Sequence, residues 1–257
     1  MIKAAFFDID GTLLSFKTRQ VCDSARAAIA SLQKQGVQCI VATGRHMIQM
    51  SKLPVADIPF DAFVMLNGQL VLDKEQNVLF GVPIEGKAKA FLIEKFNDHT
   101  YPAIIIEEKD MYLNCVTDHV EKVHEIIAIA WPELSAYKGG EIYQVCAYLR
   151  PEDEHLVDPI RDDVVMTGWH YGGKDIIAAG GGKMAGIKRY LEYTGIRREE
   201  IIAFGDAEND LDMLSFAGIG VAMGNADEKV KAVADYVTAD IDDDGIEKAL
   251  KHFGLIE

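Results

Sequence analysis

The sequence predicts an α/β protein with a Rossmann-like parallel sheet core and an inserted α+β domain. Two observations lead to this prediction. Near both ends of the chain, short apolar segments that run into polar glycine turns alternate with helical patterns. The middle of the chain instead shows several strand-like segments in succession. Alternation of strand and helix indicates βαβ units, whose crossover connections imply parallel strands.

The first βαβ unit lies close to the N-terminus. An apolar segment at residues 2–7 predicts a buried strand that runs into an aspartate-rich glycine turn. Residues 21–35 carry apolar side chains at helical spacing, and residues 37–42 form a second apolar strand. Because ligands of parallel sheets bind at the carboxyl ends of the strands, we expect Asp8 and Thr43 to lie at one site.

The βα pattern is interrupted in the middle of the chain. Helical patterns at residues 85–97 and 118–130 are mixed with five strand-like segments, several of which follow one another directly. This pattern is typical of an antiparallel or mixed sheet. We therefore predict a core domain made of residues 1–81 plus 182–257, and an inserted domain at residues 82–181.

Asn67 and Gly68 follow a predicted third strand at residues 62–66 and precede another apolar segment. An Asn-Gly pair between alternating apolar residues is a strong signal for a β-hairpin. The sequence favours a purely structural turn here over the alternative, a loop that faces the functional site.

The composition excludes several classes of protein. With 49% hydrophobic and 26% charged residues, the chain has ordinary globular composition. Its net charge of -15 argues against nucleic-acid and anionic-membrane partners, because both require a basic surface. An acidic protein that binds an anion must supply positive charge locally. Scattered cysteines and the lack of an apolar segment near ~18 residues lead us to expect a cytoplasmic protein with reduced thiols.

Acidic residues recur at a second strand end. The predicted strand at residues 201–204 runs into Asp206 and Asp210, in the same topological position as Asp8 and Asp10. Two unit charges ~4 Å apart repel by about 4 kcal/mol at an effective dielectric near 20, so this cluster requires a cation. Oxygen ligands without His or Cys favour Mg²⁺. A helix N-cap would explain any one of these residues, but not their repetition.

Lys183 follows three glycines at the start of a predicted helix that extends to residue 193. A Walker-type phosphate loop is excluded, because Ile177 and Met184 stand where that motif requires glycine and Ser or Thr. The glycines between residues 218 and 224 do not have the spacing of the dinucleotide fingerprint. An isolated lysine here is typical of a solvated helix start. Its position where the parallel pattern resumes makes Lys183 a candidate anion ligand.

Four short motifs, in this order, resemble those of haloacid dehalogenase (HAD) superfamily phosphatases. They are Asp8-Ile9-Asp10-Gly11-Thr12, Thr43-Gly44-Arg45, Lys183, and Gly205-Asp206-Ala207-Glu208-Asn209-Asp210. The chain is most similar to the Cof-type branch, subfamily IIB, which comprises sugar-phosphatase-like bacterial proteins. The resemblance covers the whole chain. It implies that the inserted domain is a cap that determines substrate specificity.

The resemblance also implies a role for each motif residue. Asp8 would attack phosphorus and form an aspartyl-phosphate, and Asp10 would act as general acid and then general base. Mg²⁺ would be held by the Asp8 side chain, the Asp10 carbonyl and Asp206, with Asp210 behind these ligands. Thr43 and Lys183 would complete the catalytic set. The implied phosphate- and substrate-binding residues are Ile9, Thr43, Gly44, Arg45, Lys183 and Asn209. Arg45 could instead pair with an acidic residue.

The implied function is Mg²⁺-dependent hydrolysis of a small phosphorylated metabolite, with sugar phosphates as the expected class. Two alternatives stay open: a phosphotransferase or mutase of the same fold, and a signalling protein that accepts one phosphoryl group. Asp10 argues against the last, because an adjacent general base would shorten the life of a phosphoryl-aspartate. Trp169, His170 and Tyr171 are possible leaving-group contacts, although packing within the inserted domain is the favoured interpretation. The oligomeric state is not indicated.

Overall fold

The computed structural model describes residues 1–127, 130–169 and 172–257. The strands in these ranges are β1 (Ala4–Phe7), β2 (Gln38–Ala42), β3 (Ala62–Met65), β4 (Leu70–Asp73), β5 (Val78–Gly81), β6 (Ala103–Ile106), β7 (Met111–Leu113), β8 (Gln144–Ala147), β9 (Val164–Trp169), β10 (Gly173–Ala178), β11 (Ile201–Gly205), β12 (Ile219–Ala222) and β13 (Tyr236–Val237). The α-helices are α1 (Asp23–Lys34), α2 (Met47–Met50), α3 (Gly86–Asn97), α4 (Asp118–Ile127), α5 (Lys183–Thr194), α6 (Leu211–Phe216), α7 (Glu228–Lys231) and α8 (Gly245–His252). None of these helices is long and apolar enough to cross a membrane.

The chain divides into two compact units, which we call unit 1 (Met1–Phe80 with Gly182–Glu257) and unit 2 (Gly81–Gly181). The sheet of unit 1 has the strand order β13-β12-β11-β1-β2-β3-β4-β5. Strands β13 to β3 are parallel, and β4 is antiparallel to β3. The Rossmann-like sheet predicted from the sequence is therefore confirmed. The carboxyl ends of β1, β2, β3 and β11 lie along one edge.

Strand β1 is completely buried, because a central parallel strand is covered on both faces. Phe6 and Ile40 of neighbouring strands join the same apolar cluster as Ile187. Ile187 belongs to α5, which buries it together with Tyr190 and Leu191 at positions three and four residues apart. This packing holds α5, whose first residue is Lys183, against the sheet.

The C-terminal elements differ in part from the prediction. The sequence pattern predicts helices at residues 227–234 and 245–252. The second has these bounds as α8, but the first is only the four-residue α7. The chain leaves the helix because Asp235 must reach strand β12. Its amide donates to the carbonyl of Gly220, and its carboxylate accepts from the Gly220 amide at 2.8 Å. Tertiary pairing here overrides local helix propensity.

Unit 2 contains a five-stranded sheet with the order β7-β6-β8-β10-β9. Its described pairs are antiparallel, as the α+β pattern predicted. Helix α3 packs on this sheet through Ala88, Leu92 and Phe96. A 3₁₀ segment at Pro151–Asp163, for which the sequence shows no helical pattern, packs in the same cluster. Pro159 inside it cannot donate the hydrogen bond that an α-helix requires.

One sequence interpretation in unit 2 falls on residues without a description. His170 and Tyr171, which we considered as leaving-group contacts, lie outside the described residues, and so does the side chain of Trp169. The backbone of Trp169 ends strand β9, paired with Gly173 of β10.

Two glycines test the packing of unit 1. A Cβ atom at Gly220 would collide with the carbonyl of Leu214, whereas a Cβ at Gly36 would meet open space but sits at φ +80°. We expect Gly36→Ala to lower the free energy of unfolding by about 1 kcal/mol through backbone strain. Gly220→Ala should lower it by about 3 kcal/mol, because the backbone must shift. Urea denaturation of both variants measures the difference; equal losses would contradict this account of the packing.

Candidate active site

The first feature of the site is a cluster of carboxylates at the carboxyl edge of the unit 1 sheet. Asp8, Asp206 and Asp210 are buried, and one oxygen of each lies within 4.8 Å of the others. The amide of Asp8 donates to the carbonyl of Phe204 at 3.0 Å, which extends the β1–β11 pairing by one residue. This pairing brings two segments together that are almost 200 residues apart in the sequence.

The turn after β1 is shaped to approach Asp206. The hydroxyl of Thr12 donates to Oδ1 of Asp206 at 2.7 Å. Gly11 has φ +88°, and a Cβ atom there would collide with the same carboxylate. Only glycine permits both the left-handed backbone and this close approach. Thr12 belongs to the first motif, but the sequence pattern by itself indicates no role for its hydroxyl.

Lys183 is the central cation of this cluster. Its Nζ donates to Oδ1 of Asp8 at 2.5 Å and to Oδ1 of Asp210 at 2.6 Å, and the side chain is 0% exposed. The other oxygen of Asp210 accepts from the amides of Asp206 and Ala207, both at 3.0 Å. Both oxygens of Asp210 are therefore engaged. Asp210 positions the lysine and the loop after β11.

The acidic groups are only partly compensated. Burial raises the pKa of Asp8 to about 7, although the positive charge of Lys183 opposes this shift. Burial also raises the pKa of Asp206 to about 9, and the charges of Asp8 and Asp210 add to it. Burial alone would lower the pKa of Lys183, but the two carboxylates outweigh burial and raise it above its ordinary value. One lysine does not neutralise three carboxylates.

The donor set fits a hard divalent cation. Carboxylate oxygens of Asp8 and Asp206 lie within 4.8 Å of each other, and because the pKa of both groups is raised, a further positive charge there would stabilise their ionised forms. Mg²⁺ prefers such oxygen ligands and binds through one or two carboxylates. Both oxygens of Asp210 already accept hydrogen bonds, one from Lys183 and the other from two amides. Asp210 therefore supports the two other aspartates through these contacts.

Arg45 and Asp10 form a second ion pair at this edge of the sheet. The Nε of Arg45 donates to Oδ2 of Asp10 at 2.5 Å, and an Nη donates to Oδ1 at 2.7 Å. This two-point geometry fixes the carboxylate plane of Asp10. The amide of Arg45 donates to Oγ1 of Thr43 at 3.1 Å. Asp10 is thus the acidic partner of Arg45, and pairing with an acidic residue was one of the two roles that the sequence allows for this arginine.

Asn67 connects three of the motif loops. Its amide donates to the carbonyl of Thr43 at 2.9 Å, and its carbonyl accepts from the amide of Gly182 at 3.1 Å. Its side-chain oxygen accepts from Asn209 at 2.9 Å. The predicted hairpin is present as β3–β4, with a 3₁₀ turn at Leu66–Gly68. The interpretation of Asn67 as a purely structural turn residue was therefore incomplete. The sequence feature that could have indicated its further role is a polar residue at the end of a parallel strand.

The remaining candidate residues lie in the same loops. Ile9 has a fully buried side chain, and its carbonyl accepts from the amides of Thr12, Leu13 and Leu14. This turn sets the path of the chain directly after Asp10. Gly44 follows Thr43 in the loop after β2.

Comparison with known proteins identifies the family. The family of haloacid dehalogenase-like hydrolases matches residues 5–250, nearly the whole chain. This chain belongs to that family. The membership that we predicted from four short motifs is therefore confirmed.

Similar proteins cover the chain from end to end. The structure of BT1666, a HAD phosphatase from Bacteroides thetaiotaomicron, is 35% identical, has a TM-score of 0.90, and aligns over 100% of this chain and 96% of its own. The structure of the subclass IIB sugar phosphatase BT4131 is 34% identical with a TM-score of 0.87, over 99% and 100%. Pyridoxal phosphate phosphatase YbhA of Escherichia coli (strain K12) is 30% identical over 93% and 94%.

The buried lysine provides a test of the electrostatics. Replacing Lys183 by Met leaves Asp8 and Asp210 without their cation, so the free energy of unfolding should fall by about 3–5 kcal/mol. Millimolar Mg²⁺ should restore part of this loss, because it compensates the same carboxylates. Lys248→Met, on the exposed side of α8, is the control and should change stability by less than about 0.5 kcal/mol. Similar losses in the two variants, measured by chemical denaturation, would contradict the central role of Lys183.

Proposed function

We propose that this chain is a Mg²⁺-dependent phosphatase that hydrolyses small phosphorylated metabolites, with sugar phosphates as the substrate class, through an aspartyl-phosphate. The observation that carries the proposal is the buried group of Asp8, Asp206 and Asp210 around Lys183. Membership of the hydrolase family and the phosphatases among its relatives support it.

The metal requirement follows from the charge of the site. We assign Asp8, Asp206 and the main-chain carbonyl of Asp10 as ligands, with Asp210 in support. When bound, Mg²⁺ would neutralise negative charge on the phosphoryl oxygens during transfer. The basic contribution of the chain itself is small: Lys183 lies at the nucleophile, and Arg45 is paired with Asp10. The protein therefore relies on a cation to bring a phosphate dianion next to its carboxylates.

Asp8 is the proposed nucleophile. Lys183 holds its Oδ1, which orients the carboxylate and leaves Oδ2 to attack phosphorus. A bond forms between Asp8 and phosphorus while the bond to the leaving-group oxygen breaks. Asp10 in its protonated form donates a proton to that oxygen and so becomes the carboxylate that Arg45 holds. Asp10 then accepts a proton from water, whose oxygen attacks phosphorus and displaces Asp8. Free phosphate and the alcohol are released.

Thr43, Gly44, Lys183 and Asn209 are the proposed donors to the phosphoryl oxygens, with the main chain at Ile9 and with Arg45 at the same edge. Donors of this kind stabilise charge that develops on equatorial oxygens in the transition state. Asn67 supports this set, because it joins the loops that carry Thr43 and Asn209. Its role is positional.

We further propose that unit 2 is the cap that determines specificity, and that unit 1 is the catalytic core. Relatives of similar identity are named for different substrates: BT4131 as a sugar phosphatase and YbhA as a pyridoxal phosphate phosphatase. A shared core with different leaving groups is the expected result if specificity lies in the inserted unit. Phosphate release in water without an added acceptor separates hydrolysis from transfer to a second hydroxyl.

The nucleophile is tested by Asp8→Asn. An amide cannot attack phosphorus, so the rate of phosphate release should fall by about 10⁴-fold, while circular dichroism shows an intact fold. Asp23→Asn, on the exposed start of α1, is the control and should retain full activity. A rate above a few per cent of the wild-type rate in Asp8→Asn would rule out this mechanism.

Metal binding is tested without reference to activity. Mg²⁺ should raise the Tm of the wild-type protein in a saturable way, because a ligand of the folded state stabilises it. For Asp206→Asn, the Mg²⁺ concentration that gives the half-maximal rise in Tm should be at least about tenfold higher. Asp242→Asn, an exposed acidic residue of the same unit, should leave it unchanged. A Tm that responds equally in the three proteins would remove Asp206 from the metal site.

A further inference from the structure

Helix α5 begins without a cap of its own. Its N-cap residue is Gly182, which has no side chain to accept a hydrogen bond from the first turn. The first amides of a helix have no partner within the helix, and a side chain at the N-cap position usually satisfies one of them. Lys183 is the first residue of α5, so its position depends on what holds the start of this helix.

Asp212 supplies the missing cap from helix α6. Its Oδ2 accepts from the amide of Met184 at 3.3 Å, and its Oδ1 accepts from the amide of Met213 at 2.7 Å. The carboxylate thus joins the first turns of α5 and α6. Gly182 has φ +122°, and a Cβ atom there would collide with Oδ2 of Asp212. Glycine at this position therefore permits the close approach of the cap.

The charge of Asp212 suits this role. A carboxylate is favourable at a helix N-terminus, where the free amides carry partial positive charge. Burial raises the pKa of Asp212, but the hydrogen bonds from the amides of Met213 and Met184 and the positive charge of Lys183 oppose this shift. These contacts stabilise the ionised form, which is the better acceptor.

The two ends of Lys183 are held by one short segment. Its Nζ donates to Oδ1 of Asp210 at 2.6 Å, and its main chain is held through the hydrogen bond of Met184 to Asp212. Asp210 and Asp212 are two residues apart, where the chain enters α6. Loss of the Asp212 carboxylate would release the start of α5 and leave the partners of the ammonium in place.

We infer that Asp212 is a positioning residue for Lys183, because its cap on α5 fixes where the ammonium meets the nucleophile Asp8. This inference rests on the proposed phosphatase function and deepens it. Lys183 orients Asp8 through Oδ1. A misplacement of about 1 Å in such a contact can slow a reaction by up to about 10²-fold, even when the substituted residue is remote from the chemistry.

The experiment measures kcat and KM for a hexose 6-phosphate in Asp212→Ala and Asp212→Asn. Alanine removes the acceptor, so kcat should fall by about tenfold. KM should change by less than about threefold, because Thr43 and Asn209 still bind the phosphoryl group. Asparagine keeps an oxygen that accepts from Met184, so kcat should stay within about twofold of the wild-type value.

Amide exchange tests the cap without reference to activity. In Asp212→Ala, the amide of Met184 should exchange with solvent at least about tenfold faster than in the wild-type protein, because its acceptor is gone. In Asp212→Asn, the exchange rate should stay close to the wild-type rate.

Asp73→Ala is the matched control. Asp73 accepts from the amide of Asn77 at 2.8 Å, and its strand partner Ala62 begins β3. It therefore lies at the amino edge of the sheet, opposite to the catalytic cluster. Both alanine variants lose a hydrogen bond to a main-chain amide and should lower the Tm by about 3 °C. Only Asp212→Ala should lower kcat.

An unchanged kcat in Asp212→Ala overturns the inference, and so does an unchanged exchange rate of the Met184 amide. Equal losses of kcat in Asp212→Ala and Asp212→Asn overturn it too, because the hydrogen bond would then not be the cause. Equal losses in Asp212→Ala and Asp73→Ala would show only a general effect of stability. If the wild-type protein itself releases no phosphate, the proposed function fails, and the inference fails with it.

Discussion

The ion pairs of Lys183 with Asp8 and Asp210 are the interaction on which the rest of the site depends. These groups are almost completely removed from water, and a buried charge without a partner is strongly destabilising. The lysine must therefore lie between the loop after β1 and the loop after β11. Because Lys183 is the first residue of α5, this requirement also fixes where the chain re-enters unit 1. The packing of Ile187 on the sheet and the lysine's ion pairs support the same helix position.

The same interaction leaves the site electrostatically incomplete. Lys183 compensates Asp8 and Asp210 in part, and burial together with these two carboxylates raises the pKa of Asp206, so its ionised form requires a further positive charge. Proteins that hold such a group without full compensation retain it for binding or catalysis. Here the incompleteness favours a cation, and a cation in turn favours a phosphate ester.

The predictability of the fold followed the strength of local patterns. The parallel core was predictable because each strand ends at a polar glycine turn and each helix carries one apolar face. Strand β5 and the 3₁₀ segment at Pro151–Asp163 lacked such patterns and were not predicted. The predicted helix at residues 227–234 was too long, because the hydrogen bonds of Asp235 to Gly220 decided where it ends.

The sequence alone determined the family, the fold class and the motif residues, because the chemistry of phosphoryl transfer requires particular side chains at strand ends. Only the tertiary structure decided how these side chains are paired. Arg45 binds Asp10, and Asn67 joins three loops, through contacts between segments that are distant in the sequence. Gln69 has no hydrogen-bond partner for its side chain among the described residues. Such contacts leave no periodic pattern, since each depends on a single pair of atoms that meet only when the sheet has formed.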